Sequence, residues 1–254
     1  MSGDREVAEQ FGHAVGEEMN EMGVTIWLAP ALNIHRNPLC GRNFEYYSEE
    51  PLVAGMTVSA VTIGVQSWPG LGVSLKHYAA NSQEDNRNAV NNTITERAFR
   101  EIYLKGFEIA VKTANPMTIM SCYNLNNGWP GADDYDLLTD IPRGEWGFTG
   151  YIMTDWGGGQ STPVNSMHAG NDMIMPGGSS ASIRQAVEDV APSFADDGYV
   201  TVTSGWGGGT ENWNDFVLDP NGDTTIEPEV TADEINANVA DKVAEGTAQI
   251  VHRE

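Results

Sequence analysis

Up to Pro176 the chain alternates short, almost wholly apolar runs with longer stretches of helical periodicity, and this alternation constrains the fold more than any other feature. The apolar runs fall at 24–28, 73–77, 117–121, 151–154 and 172–175. Short runs rich in apolar residues read as strands buried on both faces, as in a parallel sheet. The intervening segments read as helices. In 4–22, Val7, Phe11, Val15 and Met19 recur at helical spacing, and Gly23 ends the pattern. Glu50-Pro51 opens a second helix to about residue 66, with proline at an early helical position. Thr95 opens a third, 96–114, and shorter helical segments are predicted at 134–141, 143–146 and 161–168. The hexapeptide Asn126-Asn127-Gly128-Trp129-Pro130-Gly131 signals a tight turn. Strands alternating with helices predict an α/β domain of the TIM-barrel-like (β/α)8 type. Five βα units are visible, fewer than a closed barrel needs. Either the barrel is partial or its remaining strands are irregular.

This barrel portion is expected to occupy residues 1–191. Beyond it the composition shifts to Asp, Gly, Asn and Thr, which predicts a polar loop or linker over 192–230. Gly205-Trp206-Gly207-Gly208-Gly209 and Trp213 lie within it. Thr231-Ala232-Asp233-Glu234 has the form of a capping box, which predicts a C-terminal helix within 231–254, running to about residue 251.

Charge excludes some functions. With 36 acidic and 13 basic residues the formal net charge is −23, a field that repels nucleic-acid backbones and anionic membranes but not a neutral sugar. No apolar run is long enough for a membrane span, and residues 1–6 lack the basic and apolar regions of a signal peptide. Cys40 and Cys122 have no metal-type spacing and read as packed thiols. His35, His77 and His168 lack ligand spacing, so neither a metal nor another cofactor is expected.

In a parallel barrel the carboxyl ends of the strands face the active site. The first such end leads into Asn33 and the loop Gly41-Arg42-Asn43-Phe44-Glu45. The second is Lys76-His77-Tyr78, the third Ser121-Cys122-Tyr123-Asn124, and the fourth Thr154-Asp155-Trp156. Arg42, Lys76 and His77 are donors, Asp155 is an acceptor or nucleophile, and Tyr123 and Trp156 are rings for a polyhydroxylated ligand. Each has a plainer explanation: Asp155 as a helix cap, Arg42 paired with Glu45, Lys76 in a buried ion pair, His77 as a satisfied core histidine. Their concentration at strand ends favours a shared site.

These motifs, together with Asn127-Gly128 and Ala169-Gly170-Asn171-Asp172-Met173-Ile174-Met175-Pro176-Gly177, resemble those of glycoside hydrolase family 3, the β-glucosidase and β-xylosidase family. The resemblance covers about residues 5–178 and keeps the family's order. It implies retaining hydrolysis of terminal β-D-glucosyl or xylosyl residues through a covalent glycosyl-enzyme on Asp155. It further implies that Arg42, Lys76 and His77 bind sugar hydroxyls and help keep Asp155 ionised. Tyr123 would steady the nucleophile and Trp156 would flank the sugar. The Phe-Pro-Gly-His-Gly loop of the family's β-N-acetylglucosaminidases is absent after His77, where Tyr78-Ala79-Ala80-Asn81-Ser82 stands.

Two parts of the family pattern are missing. Its first strand, which carries a sugar-binding aspartate, lies upstream of where this chain starts. Its acid/base glutamate usually comes from a second domain, so a second domain or subunit is the expected partner. Glu84 and Glu211 are local substitutes that match no motif. Two alternatives stay open: a catalytically silent sugar-binding fragment, and a Schiff-base lyase using Lys76.

Overall fold

The computed structural model describes residues 4–177 and 180–185, together with the backbone of strands at 199–204, 216–218 and 248–253. Its centre is a parallel sheet of β1 (Ile26–Trp27), β2 (Gly72–Tyr78), β4 (Thr118–Ser121) and β7 (Tyr151–Met153), hydrogen-bonded in that order. Register runs from Trp27 opposite Val73, through Leu75 opposite Ile119, to Ile119 opposite Ile152. Every inter-strand connection carries a helix, as parallel pairing requires. The fold is TIM-barrel-like and partial. The fifth run, expected at 172–175, is a single bridge between Met153 and Met173. Its main chain still continues the sheet, since Thr154 N donates to Met173 O at 2.9 Å and Gly157 N to Met175 O at 2.7 Å. Pro176 follows and offers no N–H to lengthen the pairing.

Helix α1 (Arg5–Met22) is capped by Asp4, which accepts from Glu6 N, and ends on Gly23 at φ 70°. Helix α2 (Pro51–Gln66) is capped by Glu50, whose carboxylate accepts from Val53 N at 2.7 Å. The two helices pack through glycine. A Cβ on Gly12 would overlap the Val61 carbonyl, and one on Gly64 would overlap the Glu9 carbonyl. This close approach turns Gly12, Gly16 and Met19 inward. The apolar stripe seen in the sequence is therefore split. Met19 is buried and Val15 packs against the core, but Val7 and Phe11 are half exposed and line a groove of about 540 Å³ with Trp27, Pro30 and Phe44.

The helix expected at 96–114 has three parts: α3 (Glu96–Ala98), a wide π turn (Phe99–Tyr103) and α4 (Lys105–Ala114). Leu104 N donates to Phe99 O at 2.8 Å, so residues five apart share a face. That brings Phe99 and Leu104 into one core with Phe107. The two segments expected at 134–141 and 143–146 merge into one π-type helix, Asp136–Glu145, with Pro142 inside. Pro142 has no N–H to donate, and its ring would clash with the carbonyl four residues back in a regular α-helix. Helix α5 (Pro163–Ala169) starts on a Thr162 cap.

A second small sheet joins β3 (Asn91–Asn92) to a hairpin of β5 (Leu125–Asn126) and β6 (Trp129–Pro130). The hairpin turns on Asn127 (φ 51°) and Gly128 (φ 94°), the left-handed pair that such two-residue turns demand. C-terminal to the barrel portion, β8 (Tyr199–Ser204), β9 (Phe216–Leu218) and β10 (Ala248–Arg253) form an antiparallel sheet in the order β10-β8-β9. The expected linker over 192–230 thus contains two strands, and the helix expected to reach residue 251 gives way to a strand from Ala248. The reason is local: Tyr199-Val200-Thr201-Val202-Thr203 and Ile250-Val251 are β-branched sequences, hidden by the Gly- and Asp-rich composition around them. Residues 231–247 lie outside the described residues.

Candidate active site

The carboxyl ends of β2, β4 and β7 bring His77, Tyr123 and Asp155 together. Asp155 is buried, 7% exposed. Its Oδ1 accepts from Trp156 N at 2.8 Å, so the capping role is real. Its Oδ2 lies 3.8 Å from His77 Nε2 and accepts no hydrogen bond of ordinary geometry. The Tyr123 hydroxyl is close enough to the carboxylate to stabilise its charge. Burial pushes the Asp155 pKa above the usual range, against the opposing pull of Trp156 N–H, Tyr123, Arg42 and Arg87. Arg42 thus favours the ionised form, as expected of a nearby positive charge. Arg42 and Arg87 pull in that direction, but desolvation outweighs them.

His77 is 1% exposed. Asn33 grips its main chain twice, donating from Nδ2 to His77 O and accepting from His77 N, both at 2.8 Å. His77 Nδ1 lies 3.4 Å from both Asn33 Oδ1 and the Tyr46 hydroxyl. The ring's pKa falls well below its ordinary value through burial, then through the positive charges of Arg42, Lys76 and Arg87. A neutral imidazole results, with one N–H and one lone pair.

Arg42 and Lys76 converge on one carboxylate. Arg42 Nε donates to Glu45 Oε1, and Lys76 Nζ lies 3.4 Å from Glu45 Oε2. The plainer explanation for Arg42, pairing with Glu45, therefore holds. The same carboxylate also brings Lys76, neighbour of His77, beside Arg42. Tyr123 is 8% exposed, and burial followed by Asp155 pushes its pKa up to about 12, so it stays a neutral donor. Trp156 is 41% exposed beside Asp155.

Asn33, Asn81 and Glu84 stand in segments that the sequence singled out without their geometry, and Arg87 was passed over. Glu84, a local candidate for the acid that matches no motif, is bound by Arg87 at 2.8 Å and Asn81 at 3.1 Å. Glu211 lies outside the described residues. Asn124, within the Tyr123 motif, donates to Ala79 O, and Asn92 donates to Ala80 O. These side chains replace strand partners just after His77, a role signalled only by the density of asparagine. Cys40 and Cys122 are buried free thiols.

Residues 1–199 match the family model described as the glycosyl hydrolase family 3 N-terminal domain. The chain belongs to glycosyl hydrolase family 3. Among family 3 relatives, β-glucosidase B of Emericella nidulans is 48% identical over 174 residues, covering 68% of this chain and 20% of that protein. An exo-α-(1→6)-L-arabinopyranosidase of Bifidobacterium breve is 47% identical over 171 residues, covering 67% of this chain and 22% of that one. The structure of β-glucosidase 3B from Thermotoga neapolitana in complex with glucose superposes with a TM-score of 0.71 at 39% identity, covering 96% of this chain and 34% of that chain. This family 3 chain thus spans about a fifth of the length of the curated relatives it matches.

Proposed function

We propose that this chain supplies the nucleophile side of a retaining glycosidase acting on β-D-glucosides or closely related sugars. The observation that carries the proposal is the asymmetry of Asp155. One oxygen is fixed by Trp156 N–H, while the other is buried, unshared and turned toward His77 and the strand ends. A buried carboxylate oxygen that no backbone N–H holds is suited to attack carbon.

In the first step Asp155 Oδ2 bonds to the anomeric carbon as the glycosidic C–O bond breaks, and an acid carboxyl protonates the leaving oxygen. In the second, the same carboxyl takes a proton from water, the water oxygen attacks the anomeric carbon, and the ester bond to Asp155 breaks. Arg42, Lys76 and neutral His77 bind sugar hydroxyls, contacts that strengthen as charge develops on the ring. Tyr123 donates toward Asp155, and Trp156 lies along the sugar. The acid carboxyl must stand about 5–5.5 Å from the nucleophile. Glu45 and Glu84 are both engaged with cations. We therefore assign the acid/base to a second domain or subunit. The Emericella and Thermotoga names support a glucosyl substrate, and the Bifidobacterium name points to α-L-arabinopyranosyl as the competitor.

The test is incubation with a dinitrophenyl 2-deoxy-2-fluoro-β-glucoside, followed by intact mass and peptide mapping. Its leaving group departs with little protonation, so the test does not depend on the acid partner. An adduct on Asp155 supports the proposal. An adduct on another residue refutes the assignment of Asp155, and a folded chain with no adduct refutes the proposal in favour of a silent sugar-binding module.

A further inference from the structure

Arg87 lies on the loop after β2, outside every motif that drew attention to the strand ends. Its guanidinium sits 4.8 Å from the centre of the Tyr123 ring. Glu84 holds it from the other side, Nη1 to Oε2 at 2.8 Å. Glu84 also accepts from Asn81, Asn81 donates to the Tyr46 hydroxyl at 3.2 Å, and that hydroxyl approaches His77 Nδ1. Two sets of contacts thus lead from Arg87 to the neighbours of Asp155, Tyr123 and His77. One reaches Tyr123, the other runs through Glu84, Asn81 and Tyr46 to His77. The loop is fastened to the far side of the nucleophile as well, because Gln160 Nε2 donates to Asn88 O at 2.8 Å.

We propose that Arg87 is a positioning residue for Asp155: seated on the face of Tyr123 and held by Glu84, it fixes the direction in which the Tyr123 hydroxyl meets the carboxylate. A cation prefers the face of an aromatic ring, whereas a phenol donates in the ring plane. Fixing the plane therefore fixes the donor. Arginine suits this position because its planar group can stack on Tyr123 and donate to Glu84 at once. The side chain is 37% exposed, so a simple staple for the loop is the competing explanation. A staple has no reason to stand over this ring or to act on Asp155, whose charge Arg87 favours. The importance of this role for turnover rests on the proposed nucleophile. The geometry of Arg87, Tyr123 and Asp155 does not.

The experiment is carboxyl-carbon NMR of the full chain labelled at the aspartate side chains, with the Asp155 resonance assigned by its loss in Asp155→Asn. Asp155 is faced by His77, Tyr123, Cys122, Arg42 and Arg87. In Arg87→Met its titration midpoint should rise. In a Tyr123→Phe background the same substitution should have a clearly smaller effect, and Arg87→Lys should recover only part of the shift. Covalent labelling by the fluoroglucoside should slow in Arg87→Met on the order of tenfold to a hundredfold. Folding is checked by circular dichroism and melting. An unchanged midpoint in folded Arg87→Met overturns the proposal, as does a shift equally large with and without the Tyr123 hydroxyl. If the unsubstituted chain takes no label, the glycosidase proposal fails while the titration still decides the role of Arg87.

Discussion

Replacing Asn33 by alanine tests whether one side chain holds the strand end that carries His77. Asn33 donates to His77 O and accepts from His77 N, both at 2.8 Å, where the β2–β4 pairing is interrupted between Leu75 and Tyr78. Asn33 and His77 are each 1% exposed. Alanine removes both bonds and leaves a buried peptide N–H and a buried C=O without these partners. Each orphaned group costs about 1–3 kcal/mol, so the loss should be about 2–6 kcal/mol and near the middle of that range. A domain of ordinary stability, about 5–15 kcal/mol, would lose much of its margin. Urea unfolding followed by tryptophan fluorescence should show a lower midpoint at constant slope. His77 is the residue released, so labelling of Asp155 should fall more steeply than the folded fraction. A stability loss under about 1 kcal/mol would show that the clamp does not hold this strand end, and the reasoning from unsatisfied groups would fail at this site.

Further outcomes follow from the same geometry. Asp155→Asn should abolish the covalent adduct yet raise the melting temperature at neutral pH. The raised folded pKa means that Asp155 stabilises the fold while protonated, and this benefit is lost as pH rises through that value; a lower melting temperature would contradict this. His77 has a depressed folded pKa, so below about pH 6.5 the unfolded chain binds a proton that the folded chain refuses. Stability should therefore fall as pH drops from about 6.5 toward the folded value, and His77→Gln should flatten that part of the curve; an identical slope in the two proteins would refute the assignment. Gly64→Ala should force α1 from α2 and cost about 1–3 kcal/mol in urea unfolding, whereas a neutral result would mean the helices separate freely.

Much of the barrel portion was legible because its signals are local. Short apolar runs identified the strands, and Asp4, Gly23, Glu50-Pro51 and Thr95 marked helix ends through their own backbone preferences. The six residues proposed for the site were singled out because strand ends in a parallel sheet share one face. The errors have local causes too. Composition concealed the β-branched strands at 199–204 and 248–253, and the π turns at 99–103 and 136–145 arise from packing needs that helical periodicity does not encode.

The sequence by itself determined which segments could be buried strands, where the helices begin, and which side chains stand at strand ends, because each depends on neighbours a few positions away. Only the tertiary structure decided that Gly12 and Gly64, not Val7 and Phe11, join the first two helices. It alone showed that Asn33 replaces a missing strand partner and that one oxygen of Asp155 is unshared. It also placed Arg87 over Tyr123. These are relations between residues far apart in the chain. Their energies come from burial and directed contact, which exist only once the chain has closed on itself.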